Sequence, residues 1–330
     1  MKIYTTRRLL ALLVLMAGVT CAWSKDTPTR KIWIDTDIAI GEERPEGGGY
    51  ADVDDAYALL QMMAAAKLDI VGLSATYGNT TLPQAYRISK KVVRRYAPQR
   101  FPVTHGATGP LQLDSLVTNE AVEVLAQNLG EQKLTILALG PATNVATLLL
   151  LYPQLAERIE EIVLVAGRRS ADYAFHIGDE ALPFPDFNFE LDPIAFQVIM
   201  QTEIPITLCP FEISSQVWIK APDLEKLAQM GSSGRFLAKL SMNWLENWKS
   251  FGSDGFNPFD ALASHYLVHP EGVQHKRVQA HVEFHPDDTQ PGRFKPYLIC
   301  NQQPGRTVTY CYAPVPGVKE ILLREVGNLK

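Results

Sequence analysis

The sequence predicts an α/β fold: an open, mostly parallel, doubly wound (Rossmann-like) sheet with extra C-terminal helices and β-hairpins. Three observations predict it. From residue 31 to residue 209, short β-like runs alternate with helix-length amphipathic segments. Several runs are apolar almost throughout, as in Leu134-Thr135-Ile136-Leu137-Ala138-Leu139 and Glu161-Ile162-Val163-Leu164-Val165-Ala166, the pattern of strands covered on both faces. The unusual polar residues follow strand ends, where such sheets bind ligands.

Lys31-Ile32-Trp33-Ile34 opens a strand over 31–36, which leads into Asp35-Thr36-Asp37. After the acidic cluster Asp52-Val53-Asp54-Asp55, the apolar pattern from Ala56 to Met63 predicts a helix over 54–66. A strand over 69–76 and helices over 81–96 and 118–129 follow. Next come a strand over 134–139, a helix over 142–151 and a strand over 161–166. Asp192 as N-cap and Pro193 in the first turn start a helix over 192–202, ahead of a strand over 204–209. Beyond 210, residues 224–248 read as one helix with Trp244 and Trp248 on one face. Residues 278–314 read as β-hairpins, a tail suited to covering the sheet edge or to a subunit contact. No repeat or low-complexity linker divides residues 25–330, which read as one domain.

Lys2, Arg7 and Arg8 precede an apolar run from Leu9 to Thr20, and Ala22-Trp23-Ser24 offers small residues for cleavage. Residues 1–24 therefore read as a signal peptide cleaved near Ser24, with a run too short to span a bilayer. Gly18-Val19-Thr20 is a weak context for lipid attachment at Cys21. The expectation is export, to a periplasm, with no membrane insertion of the mature chain. Of 330 residues, 46% are hydrophobic, enough for a large core. A net charge of −5 without a basic block argues against a nucleic-acid partner. Cys209 reads as a small core residue. Cys300 and Cys311 flank the turn signal Pro304-Gly305. They either face each other across a hairpin as a disulfide or stay two half-buried thiols.

Carboxylates gathered where a strand ends and a helix begins suit a hard, oxygen-seeking cation or a general base. Helix capping accounts for Asp52 or Asp54 but not for Asp35 and Asp37 as well. Four or five close carboxylates repel one another unless a cation sits among them. Asp260, ahead of Ala261-Leu262-Ala263, reads on its own as an N-cap, and Asn188 as a loop residue in an aromatic-rich polar segment. The Leu139-Gly140-Pro141 turn suits the presentation of backbone carbonyls to a metal, and it lacks the ending of a phosphate loop. His105, His176 and His265 show no metal-ligand spacing, and no G-x-S-x-G nucleophile is present.

At this point the chain resembles the inosine–uridine-preferring nucleoside hydrolase family. The family's signature D-x-D-P-G-x-D-D-A stands here as Asp35-Thr36-Asp37, an insertion, then Asp54-Asp55-Ala56. Gly78-Asn79, Leu139-Gly140-Pro141-Ala142-Thr143-Asn144, Phe187-Asn188 with Asp192-Pro193, and Asp260-Ala261-Leu262-Ala263 follow in family order across roughly residues 31–270. The resemblance implies Ca²⁺-dependent hydrolysis of ribonucleosides to free base and ribose. It implies Asp37, Asp55, the Leu139 carbonyl and Asp260 as metal ligands, with Asp37 also the base that takes a proton from water. Asp54 and Asn188 would bind ribose hydroxyls, and Asn79 would orient sugar or water. Asp186 stands where the family usually has Glu, facing the sugar's 5′ side. The family also suggests a homo-dimer or homo-tetramer.

Three departures stand out. The stretch 38–53 is much longer than the family's short connection, a lid or a surface insertion. Phe259 stands where pyrimidine-tolerant members often place a His, an aromatic that leans toward purine bases by stacking. The Asn usually seen in the 167–186 segment has no clear match. Two rival readings remain: an exported nucleoside- or ribose-binding protein without turnover, and a haloacid-dehalogenase-like phosphatase, for which Asp54-Asp55 lie too early in the chain.

Overall fold

Alternating strands and helices build the expected layered sheet. The computed structural model describes residues 29–44, 48–177 and 182–330; the expected signal segment 1–24 lies outside the described residues. The first five strands are β1 (Arg30–Thr36), β2 (Leu68–Ala75), β3 (Val103–His105), β4 (Leu134–Ala138) and β5 (Ile159–Leu164). A small hairpin, β6 (Phe175–Ile177) and β7 (Leu182–Phe184), precedes β8 (Ile206–Leu208). The short pair β9 (Ile219–Lys220) and β10 (Gly255–Phe256) precedes three antiparallel strands, β11 (Val273–Pro286), β12 (Phe294–Asn301) and β13 (Arg306–Pro314), with β11 in the middle.

The main sheet has nine strands in the order β12-β11-β13-β8-β5-β4-β1-β2-β3. From β13 to β3 every neighbouring pair is parallel. The chain runs outward from β1 through β2 to β3 on one side and from β4 onward on the other. The order therefore reverses between β1 and β4, which opens a crevice at their carboxyl ends. Asp37 follows β1 there, and Leu139 follows β4.

Helices α1 (Asp54–Ala64), α2 (Leu82–Tyr96), α3 (Glu120–Glu131) and α4 (Thr143–Leu151) are followed by α5 (Phe187–Leu191) and α6 (Pro193–Met200). Further on lie α7 (Phe211–Ser214), α8 (Ala221–Ala228), α9 (Ser232–Ser250), α10 (Ala261–Val268) and α11 (Val318–Gly327). Alternation along β1 sends Ile32 and Ile34 into one core with Leu59, Leu245 and Leu262. It sends Trp33 into the other with Leu125, Val145 and Phe196. Both faces of the sheet are thus covered, as its apolar strands require. Among the described residues no helix is long and apolar enough to cross a membrane.

One expectation changes, one open alternative is decided and one strand is added. The helix over 224–248 is two helices, α8 and α9, broken where the Gly231 N–H donates to the Gly327 carbonyl (2.7 Å). Trp244 and Trp248 still share a face, with ring centroids 6.4 Å apart. Cys300 and Cys311 do not face each other: β11 lies between β12 and β13, with Ala280 opposite Cys300 and His275 opposite Cys311. All three described cysteines are buried thiols. β3, only three residues long, is too short to show an alternation in sequence.

Two helices that begin with acids, α1 and α10, are tied together by one buried side chain. Gln61 Oε1 accepts from the Ser264 hydroxyl (2.7 Å), and Gln61 Nε2 lies 3.0 Å from His265 Nδ1 and donates to Glu325 Oε2 (2.9 Å). Gln61→Leu would leave three polar groups short of a partner. The expected cost is about 1–3 kcal/mol, read from denaturant unfolding midpoints.

Candidate active site

The site begins with Asp35 and Asp37 on either side of Thr36. Asp35 is fully buried and braces the fold: its Oδ1 accepts from the Ser74 hydroxyl and from Asn144 Nδ2 (2.8 Å). Burial pushes its carboxyl up to about 6, against the pull of those two donors. Asp37 lies one residue past the end of β1, fully buried. Its Oδ2 accepts from the Asn79 N–H (2.8 Å), and its buried Oδ1 has no partner. Burial, then the Asn79 amide in opposition, then the charge of Asp54 set its carboxyl at about 7.

That amide reaches Asp37 because of Gly78. Its φ is +150°, and an added Cβ would overlap Asp37 Oδ2. Gly78-Asn79 is therefore a backbone device that aims one N–H at one carboxylate.

The N-termini of α1 and α10 supply the other acids. Carboxylate oxygens of Asp54, Asp55 and Asp260 lie within 4.8 Å of one another. Asp55 Oδ1 accepts from the Thr36 hydroxyl, and Asp54 Oδ2 from the Asp260 N–H (3.1 Å). Capping does not explain Asp54 or Asp260: neither helix start has a side-chain cap hydrogen bond. Asp52 tethers the Val53 and Asp54 amides (2.6 and 3.2 Å), yet it also lines the cavity. Burial first, and neighbouring carboxylates second, raise Asp52, Asp55 and Asp260 well above the carboxylate range.

The compact trio holds Asp54, which the resemblance assigns to ribose. Asp37 stands beside the trio, within electrostatic reach of Asp54 and Asp55. The Leu139 carbonyl accepts from Asn188 Nδ2 (2.7 Å), and a carbonyl oxygen keeps a second lone pair. Asn188 is thus no loop residue; it sits buried in α5 and fixes the β4 end. Asp192 caps α6 as expected, accepting from the Ala195 N–H (3.0 Å). The donor set is all oxygen, crowded and partly unpartnered, which fits a hard divalent cation.

Asp54, Leu139 and Asp260 line a cavity of about 200 Å³ together with Asn79, Asp186, Asn188 and Phe259; Asp37 and Asp55 are buried and are not among its lining residues. One half is acidic and the other aromatic. The Phe259 ring lies 6.0 Å from Phe184 and 5.8 Å from Phe211, both at shallow angles. Phe175, Phe184, Phe211, Trp244 and Arg44 in its lining escaped the sequence reading. The strand-end rule could have found Phe211, which follows β8; Trp244 carries no such signal. Asp186 is pushed up to about 7 by burial, against the pull of Arg168 and of the Gly167 N–H, which donates to its Oδ2 (2.7 Å).

The stretch 38–53 forms part of this wall. Arg44 N–H donates to the Gly49 carbonyl and Ala51 N–H to the Glu42 carbonyl (2.8 Å each), and residues 45–47 lie outside the described residues. Asn247 of α9 holds Tyr50 through both its backbone groups. Arg44 and Asp52 bring the stretch to the cavity.

Two outcomes follow from this geometry. Gly78→Ala should displace the Asp37 carboxylate and cut turnover by about 10²-fold or more while unfolding remains cooperative, measured by steady-state kinetics beside thermal melts. The second concerns pH. Asp35, Asp37 and Asp186 hold protons to about 6, 7 and 7, whereas an unfolded carboxyl ionises near 3.8. Without a cation, the unfolded chain binds fewer protons across that window, so stability falls as pH rises from about 4 to 7. His265, pushed down to about 4 chiefly by burial, acts oppositely between about 4 and 6.5, one imidazole against several carboxyls. Chelated protein should therefore melt lower at about pH 7.5 than at about pH 5, and added Ca²⁺ should raise the melting temperature mainly at the higher pH. Equal melting at both pH values in chelator would contradict the buried-charge reading.

Comparison with known proteins places the chain. A family model described as inosine-uridine preferring nucleoside hydrolase matches residues 32–311. The pyrimidine-specific ribonucleoside hydrolase RihA of Citrobacter koseri is 28% identical over 246 residues, covering 66% of this chain and 77% of RihA. RihA of Klebsiella pneumoniae is 27% identical with the same coverage. A solved plant nucleoside hydrolase superposes with a TM-score of 0.71 at 21% identity, over 91% of this chain and 99% of its own. A purine-preferring ribonucleoside hydrolase from Gardnerella vaginalis superposes with a TM-score of 0.71 at 18% identity, over 90% and 98%. The two superpositions bear out the fold. With a family match running from β1 into β13, the protein belongs to the inosine-uridine preferring nucleoside hydrolases and is an N-ribosyl hydrolase.

Proposed function

We propose that this hydrolase is an exported, Ca²⁺-dependent enzyme that cleaves ribonucleosides, purine nucleosides above all, to base and ribose. The observation that carries the reading is the packing of Asp54, Asp55 and Asp260 beside Asp37 at the β1–β4 crevice, against an aromatic wall. Asp37, Asp55, Asp260 and the Leu139 carbonyl would hold the cation, with Asp54 close enough to share it or to bind ribose. When bound, Ca²⁺ supplies acidification of a water and a fixed seat for vicinal hydroxyls.

The chain's own residues do the rest. Asp37, with one oxygen held by the Asn79 amide and the other unpartnered, takes the proton of the attacking water. The water oxygen bonds to C1′ as the C1′–N bond breaks, and the bonding pair leaves on the base nitrogen. Positive charge builds on the ribosyl ring in that step, and the surrounding carboxylates stabilise it. Asn188 and Asp54 hold ribose hydroxyls, and Asp186 faces the 5′ side. Phe259 has no proton to give, so its part is stacking against the departing base, a contact worth about 0.5–1.5 kcal/mol. A wide aromatic wall rewards the larger purine ring, which supports the purine lean. The basic start and apolar run before Ser24 support export to a periplasm.

Purified mature protein should release ribose from inosine. Asp37→Ala and Asp260→Ala should each cost about 10²–10⁴-fold in turnover, and Phe259→Ala should raise KM for inosine more than for uridine. Full activity after chelation would sink the calcium requirement. Nucleoside binding without ribose release in Ca²⁺ would replace the hydrolase reading with that of a binding protein.

A further inference from the structure

One fully buried charge takes no part in the chemistry above: the guanidinium of Arg168. It follows β5 through Gly167, whose φ is +98° and where an added Cβ would stand 3.0 Å from Cys300 Sγ. The turn carries Arg168 back onto the sheet edge. Its N–H donates to the Leu298 carbonyl (2.9 Å), and its carbonyl accepts from the Cys300 N–H (2.7 Å), so it pairs with β12. The guanidinium lies between two rings, 4.3 Å from the centroid of Phe175 and 4.4 Å from that of Tyr297.

Its charge is matched on two elements. Nη1 donates to Asp288 Oδ2 (2.7 Å) on the β11–β12 connection, and Nη2 stands 3.7 Å from Glu190 Oε1 on α5. Lys295 of β12 joins the same group, donating to Glu190 Oε2 (2.8 Å) and lying 2.7 Å from Asp288 Oδ1. Burying a guanidinium is costly even when it is paired, so this placement is a poor way to gain stability alone. Its charge reaches Asp186. Glu190 Oε1, facing Arg168, accepts the Asp186 N–H (2.9 Å). Gly167, bonded to Arg168, donates its N–H to Asp186 Oδ2 (2.7 Å). Nε and Nη2 of Arg168 make no hydrogen bond among the described residues, so Arg168 acts on Asp186 by charge: it faces the Glu190 carboxylate that holds the Asp186 N–H, and it pulls on the Asp186 carboxyl itself.

We propose that Arg168 is a positioning residue that fixes the aim of the Asp186 carboxylate and so makes the enzyme demand an intact 5′-hydroxyl on its nucleoside. The inference rests on the role given to Asp186 above. A methionine at 168 fills the slot between the rings without charge or donors. A lysine keeps the charge and loses the planar group that lies between the rings.

The test compares inosine with 5′-deoxyinosine. Arg168→Met should lower kcat/KM on inosine about tenfold, chiefly through KM, and change it less than about twofold on 5′-deoxyinosine. Arg168→Lys should recover part of the loss. In the Asp186→Ala background, Arg168→Met should add nothing further on inosine. Equal losses on both substrates, or full additivity with Asp186→Ala, would overturn the proposal and leave Arg168 a brace for the β11–β12 connection. Hydrogen exchange decides the matter independently of turnover. In Arg168→Met, amides of residues 186–191 should lose protection while those of α4 keep theirs; unchanged exchange at 186–191 would overturn the proposal. A wild-type protein that releases no ribose sinks the function reading alone, because the exchange comparison still stands.

Discussion

Like charge buried at the carboxyl end of β1 sets the terms for everything around it. Asp37, Asp54, Asp55 and Asp260 are all at most 3% exposed. At an effective dielectric of about 20, two full charges as far apart as the 4.8 Å limit of the trio repel by about 3.5 kcal/mol. The backbone offsets part of this, since the N–H groups of Asn79, Asp55 and Asp260 each donate to one of the carboxylates. The positive ends of α1 and α10 offset more. What remains is met by protons or by a cation, and the two compete for the same oxygens. A site of this kind is therefore also a switch in stability, held by whichever occupant the solution supplies.

The fold keeps these acids together from three directions. Asp37 comes off β1 where the strand order reverses, a place left open by the topology itself. Asp54 and Asp55 come with α1, and Asp260 with α10, two helices whose mutual register Gln61 sets from two turns inside α1. Neither helix start uses its acid as a cap, which leaves those carboxylates for each other and for a ligand.

The sequence showed the longer strands and helices up to residue 209 because their periods are plain: strands apolar on both faces, helices amphipathic or buried; the short β3, β6, β7 and α5 carry no such period. It showed the acidic residues because a strand end and a helix start rarely carry so many at once. The rest was hidden for physical reasons. Capping and ligation demand the same residue type at the same place, so Asp260 could not be told from an N-cap. Asn188 looked like loop because α5 is a helix of only five residues. The aromatic wall was invisible because Phe184, Phe211 and Trp244 come from three unrelated elements, and only packing brings them to Phe259. Cys300 and Cys311 stayed undecided because a turn signal between two β runs allows neighbouring strands, whereas β11, from earlier in the chain, pairs with both and leaves them free thiols.

The acidic and aromatic halves of the cavity are joined by peptide bonds. Phe259 and Asp260 are consecutive, one against the rings and the other among the carboxylates. Phe187 and Asn188 are consecutive as well, one lining the cavity and the other pinned to the Leu139 carbonyl. A shift that tightened the aromatic wall would therefore drag an acid or an amide with it. On the proposed reading, the position of the base and the position of the reacting carbon would be set by the same short segments. For a reaction in which one bond must break as another forms on the opposite side, that linkage matters more than any single contact in either half.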